Sequence, residues 1–364
     1  MKERILTYLT CPNCVSEPEL KLSVLSKEEE TDHIIEGKLN CTNCNSTFPI
    51  IKGVPFFKHN LNDKTVDLNR KNFADEWLYF TSEIDHELAK DELDSYFQNL
   101  ITYEDLKDKI VLDAGCGGGR FCHAVAQESK AKEIFAVDLS NATLSAFKNT
   151  KHFDNVNIIQ GDIMNLPFKS SKDNKPFDFI YSVGVIHHLP NPKAGFTSLT
   201  KRLKKDGKIL AWVYGKEGNA LYIYLADPIR KLITSKLPFS INLILSFLIT
   251  CVLWALIWLI YVPKNKLLGD KISNKILPFN EYFTFFKKRG FREFWRTILD
   301  KMIPTISYYI SKDEFTDWFT SNNLNYKILF RNGHSWSGLG NLALQEQNKK
   351  DNREFRQLAD KHFV

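Results

Sequence analysis

The sequence is short of three features, and each absence argues against a class of protein. Its first ten residues, MKERILTYLT, contain no apolar stretch of the kind found in a secretory signal peptide. Charge of neither sign dominates, because 49 Lys and Arg face 43 Asp and Glu, for a net charge of +6. No internal repeat is evident in the sequence. These absences disfavour a secreted protein, a strongly basic nucleic-acid-binding protein and a repeat array, and they predict a cytoplasmic location.

A dinucleotide-binding fingerprint is also missing, although the chain has a glycine-rich turn. Residues 111–121 read VLDAGCGGGRF, which is an apolar strand, a turn and the start of a helical run. In the pattern G-x-G-x-x-G, Arg120 or Cys122 replaces the third glycine, depending on the reading frame. Asp113, at the strand tip, would repel a pyrophosphate and attract a cation. The strand–turn–helix unit therefore predicts a doubly wound α/β sheet whose ligand is not a dinucleotide.

The turn at 111–121 resembles the first motif of the class I S-adenosylmethionine-dependent methyltransferases, whose cofactor carries an ammonium and a sulfonium group. The motifs that should follow do so in order. Five strands are predicted at 110–112, 133–138, 155–160, 177–183 and 207–214, and two more at 325–331 and 336–346. The predicted fold class is α/β, with a Rossmann-like, seven-stranded, doubly wound sheet.

The resemblance also implies which residues bind S-adenosylmethionine. Asp138, at the end of the second strand, can bind both ribose hydroxyls. In similar enzymes an acid at the position of Asp162 hydrogen-bonds the adenine amino group, and the next residue, here Ile163, packs on the ring. The predicted cofactor-binding residues are Asp113, Ala114, Gly115, Cys116, Gly117, Gly119, Asp138, Leu139, Ser140, Gly161, Asp162, Ile163 and Val183.

Two adjacent histidines follow the fourth predicted strand, in GVIHHLPNP, where similar enzymes direct the methyl group toward the acceptor. His187 or His188 could act as a general base, because histidine ordinarily titrates near neutral pH. Either could instead shape the cofactor pocket. Transfer to a good nucleophile needs little beyond alignment and desolvation, so both interpretations stay open.

Four of the seven cysteines stand in two Cys-x-x-Cys pairs, Cys11 with Cys14 and Cys41 with Cys44. Without a signal peptide, such pairs indicate a metal site rather than disulfides, and four thiolates suit structural zinc. The segment resembles the small zinc-ribbon subunits that activate certain tRNA methyltransferases. Residues 1–60 hold seven Lys and Arg against eight Asp and Glu, which favours a scaffold over a phosphate-binding surface.

The chain divides into six predicted segments. A polar connector is expected over 61–72, and the helices after it should cover the cofactor cleft, with Trp77, Tyr79 and Phe80 as candidate wall residues. The segments are a zinc ribbon at 1–60, a linker with covering helices at 61–108, methyltransferase strands 1–5 at 109–214, a hydrophobic and aromatic helical insertion at 215–310, strands 6 and 7 at 311–347, and a polar tail at 348–364.

The insertion contains an uncharged run at 241–262, INLILSFLITCVLWALIWLIYV, that matches a transmembrane helix in length and composition. A single crossing would leave strands 6 and 7 across the bilayer from strands 1–5, which one sheet cannot tolerate. The run must therefore re-enter, lie in the membrane interface or pack against protein. Aromatic and basic residues alternate at 279–296, as they do at membrane surfaces and in single-strand nucleic-acid sites. A stripe of residues four apart should face the protein: Asn242, Ser246, Thr250, Trp254 and Trp258.

Together these patterns predict an S-adenosylmethionine-dependent methyltransferase that acts on a small-molecule or lipid-linked apolar acceptor at a membrane surface. It would be cytoplasmic, and peripheral or monotopic on the inner face of the membrane through 241–262 and 279–296. The alternative is an RNA methyltransferase that uses the zinc ribbon for substrate or partner contacts, which the modest net charge of +6 disfavours. A second alternative is a non-catalytic scaffold that binds the cofactor.

Overall fold

A computed structural model of the chain describes residues 1–57, 63–80, 84–171 and 174–342. The predicted polar tail at 348–364 and the last four residues of the predicted seventh strand, 343–346, lie outside the described residues. A short 3₁₀ helix at Glu3–Thr7 opens the chain, and a small antiparallel sheet, the ribbon, follows. Its strands, in the spatial order β1-β2-β3-β4, are β1 Leu20–Lys27, β2 Ile34–Cys41, β3 Thr47–Ile51 and β4 Val54–Pro55.

The main sheet has seven strands, as the sequence predicted. They are β5 Ile110–Ala114, β6 Glu133–Asp138, β7 Val156–Gln160, β8 Phe177–Val183, β9 Leu203–Tyr214, β10 Leu324–Arg331 and β11 Ser335–Leu342. The spatial order is β10-β11-β9-β8-β5-β6-β7, and β11 alone runs antiparallel to its neighbours. Every residue of β5 and β7 is buried, because helices cover both faces of a parallel sheet. This is the Rossmann-like α/β fold of methyltransferases.

Six helices flank the main sheet and its cleft. They are α1 Lys64–Phe80, α2 His86–Phe97, α3 Arg120–Glu128, α4 Thr143–Thr150, α5 Pro192–Thr200 and, after the insertion, α12 Lys312–Ser321. Local sequence sets their starts. Asn191 caps α5 by accepting a hydrogen bond from the Ala194 amide, and Ser311 and Glu314 form a reciprocal capping box at α12.

The start of α1 corrects the connector predicted over 61–72, because residues 64–72 are helical. Two polar residues of this stretch are buried rather than solvated. Asn72 Nδ2 donates to the Ile303 carbonyl at 2.8 Å, and Asn69 Oδ1 accepts from the Thr305 amide at 2.9 Å. The polar residues that suggested a connector therefore hold α1 against the end of the insertion.

The ribbon and the main sheet share one hydrophobic core, to which Leu9 and Phe57 of the ribbon and Phe135 and Phe177 of the sheet belong. The ribbon also covers the outer edge of β7, where the Phe57 amide donates to the Gln160 carbonyl at 2.9 Å. An open strand edge would otherwise present unpaired peptide groups. The ribbon is thus built into the methyltransferase core.

The insertion lies between β9 and β10, as predicted, and is helical. Its helices are α6 Asp227–Leu232, α7 Phe239–Leu256, α8 Val262–Leu268, α9 Asp270–Ile276, α10 Asn280–Arg289 and α11 Phe291–Met302. A π-helical turn at Ile257–Tyr261 joins α7 to α8, so that Phe239–Leu268 is one rod of 30 residues. By length and composition this rod could cross a membrane, and 17% of its most apolar window is buried within the protein.

One stripe of α7 faces the protein, as predicted from the sequence. Asn242, Ser246 and Thr250 are buried, and Ser246 contacts α11, where Trp295 Nε1 donates to Ser246 Oγ at 2.9 Å. A spacing of four residues exceeds the helical repeat of 3.6, so the stripe turns gradually away from the protein along the helix. Trp258, which was predicted to face the protein, is 48% exposed. The polar stripe therefore attaches the rod to the protein and leaves its apolar remainder outside.

Candidate functional site

Two positions of the glycine-rich turn after β5, Gly115 and Gly117, require glycine because of their backbone conformation and their close neighbours. Gly115 and Gly117 have φ values of +97° and +50°. A Cβ on Gly115 would lie 2.2 Å from a methyl group of Val185, and one on Gly117 would lie 2.7 Å from the Trp77 ring. Trp77 of α1 thus covers the turn, as the sequence suggested. Tyr79 is 46% exposed and Phe80 packs in a separate cluster with Leu299, so neither of them covers this turn.

A cleft of about 250 Å³ opens at this turn, and we call it the cofactor cleft. The predicted residues that line it are Gly115, Cys116, Asp138, Leu139, Ser140, Asp162, Ile163 and Val183. The other predicted residues, Asp113, Ala114, Gly117, Gly119 and Gly161, lie in the strand ends and turns behind its wall. Trp77, Phe121 and His188 complete the wall facing the insertion.

Asp138 ends β6 with its carboxylate fixed by two backbone amides. Oδ2 accepts from the Gly117 amide at 2.9 Å, and Oδ1 accepts from the Ser140 amide at 2.8 Å. Each oxygen keeps a further lone pair, so the carboxylate can still accept from two vicinal hydroxyls. Asp162, at the end of β7, is similarly oriented by the Met164 amide at 2.8 Å. The residues present therefore fit an adenosine group.

Asp113 lies behind the turn and is 2% exposed, with no hydrogen-bond partner for Oδ2 among the described residues. Burial raises the pKa of this carboxyl to about 7, and the Tyr181 hydroxyl beside it acts in the opposite direction. A carboxylate that is costly to ionise here is stabilised if a cation binds nearby. This agrees with the sequence argument that the strand tip favours a cationic ligand.

The raised pKa predicts how Asp113→Asn alters stability. The pKa of this carboxyl is near 4 in the unfolded chain and about 7 in the folded protein. Between these values the folded protein holds a proton that the unfolded chain has released. The stability that the carboxyl contributes is therefore fully present below pH 4 and is lost as the pH rises through about 7. Without cofactor, the free energy of unfolding of Asp113→Asn should rise relative to that of the wild type by up to about 1.4 kcal/mol per pH unit between pH 4 and 7. Urea unfolding at pH 5, 6, 7 and 8 measures this gain. A difference that does not change with pH would contradict it.

The two predicted histidines occupy different positions. His188 lines the cofactor cleft, and its Nδ1 lies 2.7 Å from the Ile306 carbonyl, to which it can donate. His187 is fully buried against Tyr214, with ring centroids 4.1 Å apart, and neither of its nitrogens has a partner among the described residues. Burial lowers the pKa of His188 to about 4 and that of His187 well below its usual range. Both rings are therefore neutral at pH 7, and His188 faces the ligand.

A second cavity, the polar chamber, adjoins the cofactor cleft and measures about 110 Å³. Val183, Gly184 and Asp300 line both cavities. The cationic side chains of the chamber come from α3, α10, α11 and β10, and they are Arg120, Arg289, Arg296, Lys301 and Arg331. Its acids are Glu92, Glu293 and Asp300. Sequence reasoning missed this chamber, because its members lie up to about 240 positions apart along the chain.

Glu92 of α2 is the acid at the centre of these arginines. Arg120 Nη2 donates to Glu92 Oε1 at 2.9 Å, and the guanidinium groups of Arg289 and Arg296 lie at 3.6 Å and 3.8 Å. Burial alone would raise the pKa of Glu92, but the three guanidinium groups hold it below its usual range. Arg289 and Arg296 thus point into the protein, whereas Lys287 and Lys288 of the same aromatic and basic segment are exposed.

The four predicted zinc ligands converge at the tip of the ribbon. The sulfur atoms of Cys11, Cys14, Cys41 and Cys44 all lie within 4.8 Å of one another. The Cys11–Cys44 and Cys14–Cys41 sulfur distances are 3.6 Å and 3.8 Å. Four sulfurs bound tetrahedrally at the usual zinc–sulfur distance of about 2.3 Å stand about 3.8 Å apart, so the cluster fits zinc. All four ligands come from the protein, as in a structural site.

The ribbon also supports the loop that follows β7 and carries Asp162 and Ile163. The Thr10 amide donates to the Pro167 carbonyl at 2.9 Å, and Asn165 Nδ2 donates to the Pro12 carbonyl at 3.0 Å. Pro12 lies between the cysteines of the first pair. The cysteine cluster is therefore connected to the predicted adenine-binding loop through two hydrogen bonds.

Comparison with known proteins gives a family for the central segment. The model of a methyltransferase domain matches residues 105–219. A tRNA U34 carboxymethyltransferase of Aliarcobacter butzleri is 33% identical over 127 residues, which are 33% of this chain and 40% of that protein. The protein of the same name from Pseudoalteromonas atlantica is 28% identical over 126 residues, 34% of this chain and 37% of that protein. The matched segment thus spans well under half the length of these relatives.

Solved structures show a weaker likeness. Magnesium protoporphyrin IX methyltransferase from Synechocystis, solved with bound SAH, is 13% identical with a TM-score of 0.42, over 77% of this chain and 100% of that chain. A complex of the Haloferax volcanii Trm112 methyltransferase activator with a putative methyltransferase gives 11% identity and a TM-score of 0.38, over 71% and 97% of the two chains. The family assignment comes from the sequence matches: residues 105–219 are a methyltransferase domain, as the glycine-rich motif predicted.

Proposed function

We propose that this protein transfers a methyl group from S-adenosylmethionine to an acceptor bound in the polar chamber. The observation that carries the proposal is the wall that the cofactor cleft and the polar chamber share at Val183 and Gly184, at the carboxyl end of β8. Ligands of doubly wound sheets bind at these strand ends. The match of residues 105–219 to a methyltransferase domain supports the same activity.

The side chains of the cleft suggest individual roles. Asp138 would bind the ribose hydroxyls, and Asp162 and Ile163 the adenine. Trp77 would exclude water from the turn. His188, oriented by the Ile306 carbonyl, would shape the cofactor pocket rather than act as a general base, because a ring whose pKa burial lowers to about 4 is a weak base at neutral pH. S-adenosylmethionine, when bound, supplies a methyl group on a positively charged sulfur. Alignment and desolvation in the closed site would then carry much of the rate enhancement.

The names of the curated relatives support an RNA acceptor over the small-molecule or lipid-linked acceptor expected from the sequence. The basic groups of the polar chamber could contact an RNA phosphate. RNA binding that weakens steeply with salt would support this candidate. The apolar acceptor is supported by a different observation, the exposed rod Phe239–Leu268. A cytoplasmic location on the inner face of a membrane stays a prediction.

A labelling experiment tests the proposed activity and sorts the acceptors. The purified full chain is incubated with S-adenosylmethionine labelled in the methyl group and with a cell extract, which is then separated into lipid, RNA and small-molecule fractions. With S-adenosylmethionine kept below saturation, we expect label in one fraction with the wild type and much less label with Asp138→Asn. Cofactor binding without label in any fraction would contradict the enzyme and favour the non-catalytic scaffold.

A further inference from the structure

A third cavity, the apolar chamber, continues from the polar chamber into the insertion. Its volume is about 350 Å³, and Tyr282, Lys301 and His334 line both chambers. Side chains of α6, α7, α10 and α11 form its walls, among them Ile229, Ile249, Leu253, Phe283, Ile298 and Met302. The cofactor cleft, the polar chamber and the apolar chamber therefore adjoin one another in a row.

The apolar chamber opens at an apolar surface. Ile229 and Ile249 line the chamber and are also largely exposed, so they stand at its mouth. Around them the insertion exposes further large apolar side chains, which are Leu225, Leu232, Ile233, Leu245, Leu248 and Val252. A patch of this kind on a protein surface marks a contact with an apolar partner.

The polar chamber holds a buried cation without a close acid. Arg331 is 3% exposed, its Nε has no hydrogen-bond partner, and no carboxylate of the described residues lies within 4.0 Å of it. Its guanidinium rests on the Tyr96 ring, 4.5 Å from the centroid. The three other arginines of the chamber contact Glu92, so Arg331 differs from them. A buried charge without a counter-ion is costly, and an anionic ligand would relieve that cost.

Lys301 adds a second positive charge where the two chambers meet. Its Nζ lies over the rings of Tyr214 and Tyr222, at 4.5 Å and 5.2 Å from their centroids, and no ion pair to a described carboxylate lies within 4.0 Å of it. Arg331 and Lys301 therefore offer two positive charges without a direct ion pair between the cofactor cleft and the apolar chamber, and Glu92 and Asp300 act on them only from a greater distance. An anion there would have hydrocarbon walls on its other side.

We propose that the two chambers bind an anionic amphiphile, with its phosphate or carboxylate group at Arg331 and Lys301 and its hydrocarbon chain in the apolar chamber. The proposal rests on the methyl transfer proposed above, because it names the acceptor class of the same site. The exposed surface of the insertion indicates a membrane as the source. On α8 and α9, Lys264, Lys266, Lys271 and Lys275 are exposed beside exposed Leu267, Leu268, Ile272 and Ile276, and such a surface matches anionic headgroups above acyl chains.

Calorimetric titration of the full chain tests the proposal with decyl phosphate, decanoate and decyl maltoside, each below its critical micelle concentration. We expect at least one anionic compound to bind about tenfold tighter than the neutral one. The stronger of the two anions identifies the headgroup. Arg331→Gln should remove most of that preference, whereas Lys327→Gln, which removes an exposed charge from the same strand, should keep it.

Ile249→Trp provides a second test that does not alter a buried charge. It should block the mouth of the apolar chamber and weaken decyl phosphate binding about tenfold, with S-adenosylhomocysteine binding unchanged. Equal affinity for the three compounds, or no effect of either variant, would overturn the proposal. So would Arg331-dependent binding of a uridine-rich RNA oligonucleotide without binding of decyl phosphate. If the wild-type protein does not bind S-adenosylhomocysteine, that result would instead contradict the proposed function.

Discussion

Replacing Cys41 with serine should unfold the ribbon and weaken cofactor binding at least tenfold. Cys41 is buried, and its sulfur accepts from the Asn43 and Cys44 amides at 3.3 Å and 3.4 Å, so its position is fixed within the cluster. A structural zinc site contributes about 10 kcal/mol or more to folding in small zinc domains, and a missing thiolate forfeits much of that. The ribbon shares its core with the main sheet, so the loss should spread to the sheet.

The effect on the cofactor follows from the two hydrogen bonds between the ribbon and the adenine-binding loop. Thermal unfolding, zinc analysis and S-adenosylhomocysteine titration of Cys41→Ser measure the three parts of this expectation. Cys251→Ser is the matched control, because Cys251 is exposed on α7 and outside the cluster. Wild-type protein that purifies without zinc, together with a Cys41→Ser variant of unchanged stability and affinity, would contradict the metal assignment.

Asp138→Asn should lower the affinity for S-adenosylhomocysteine about 30- to 100-fold. The carboxylate accepts two amide hydrogen bonds and would accept two more from the ribose, whereas an amide side chain offers only one accepting atom. One hydrogen bond from the turn and one from the ligand are thereby weakened, at about 1–1.4 kcal/mol each. Titration calorimetry measures the change.

The matched control for Asp138→Asn is Asp206→Asn. Asp206 is an exposed residue near the start of β9 with φ of 66°, a conformation that asparagine adopts as readily as aspartate. It should leave the affinity unchanged. Equal affinity of Asp138→Asn and the wild type would contradict the ribose assignment, even if the fold were intact.

The sequence was informative where one local pattern decides the outcome. The strands β5 and β6 are largely apolar because helices cover both faces of the sheet, and such runs are visible in a single sequence. The zinc ligands were equally readable, because each tight Cys-x-x-Cys turn brings two sulfurs together by itself. The polar stripe of α7 followed from spacing alone.

Other features depend on contacts that no local pattern encodes. The polar residues 64–72 suggested a connector, yet Asn69 and Asn72 pair with backbone groups about 230 positions away. Arg331 is only the last residue of the predicted strand 325–331, and no local pattern distinguishes Glu92 from the other acids of its helix. Only the packing of α2, α11 and β10 brings them into one chamber. The adjacent His187 and His188 are both buried, and only packing decides that His187 lies against Tyr214 whereas His188 lines the cofactor cleft.

The preference of the cofactor cleft for S-adenosylmethionine and its demethylated product over a phosphate-bearing dinucleotide is the claim on which the proposed function depends. Calorimetric titration of the full chain with S-adenosylhomocysteine and, separately, with NAD tests it most directly. We predict one S-adenosylhomocysteine bound per chain, in competition with S-adenosylmethionine, and no measurable heat with NAD. Saturable binding of NAD, with none of S-adenosylhomocysteine, would contradict the account.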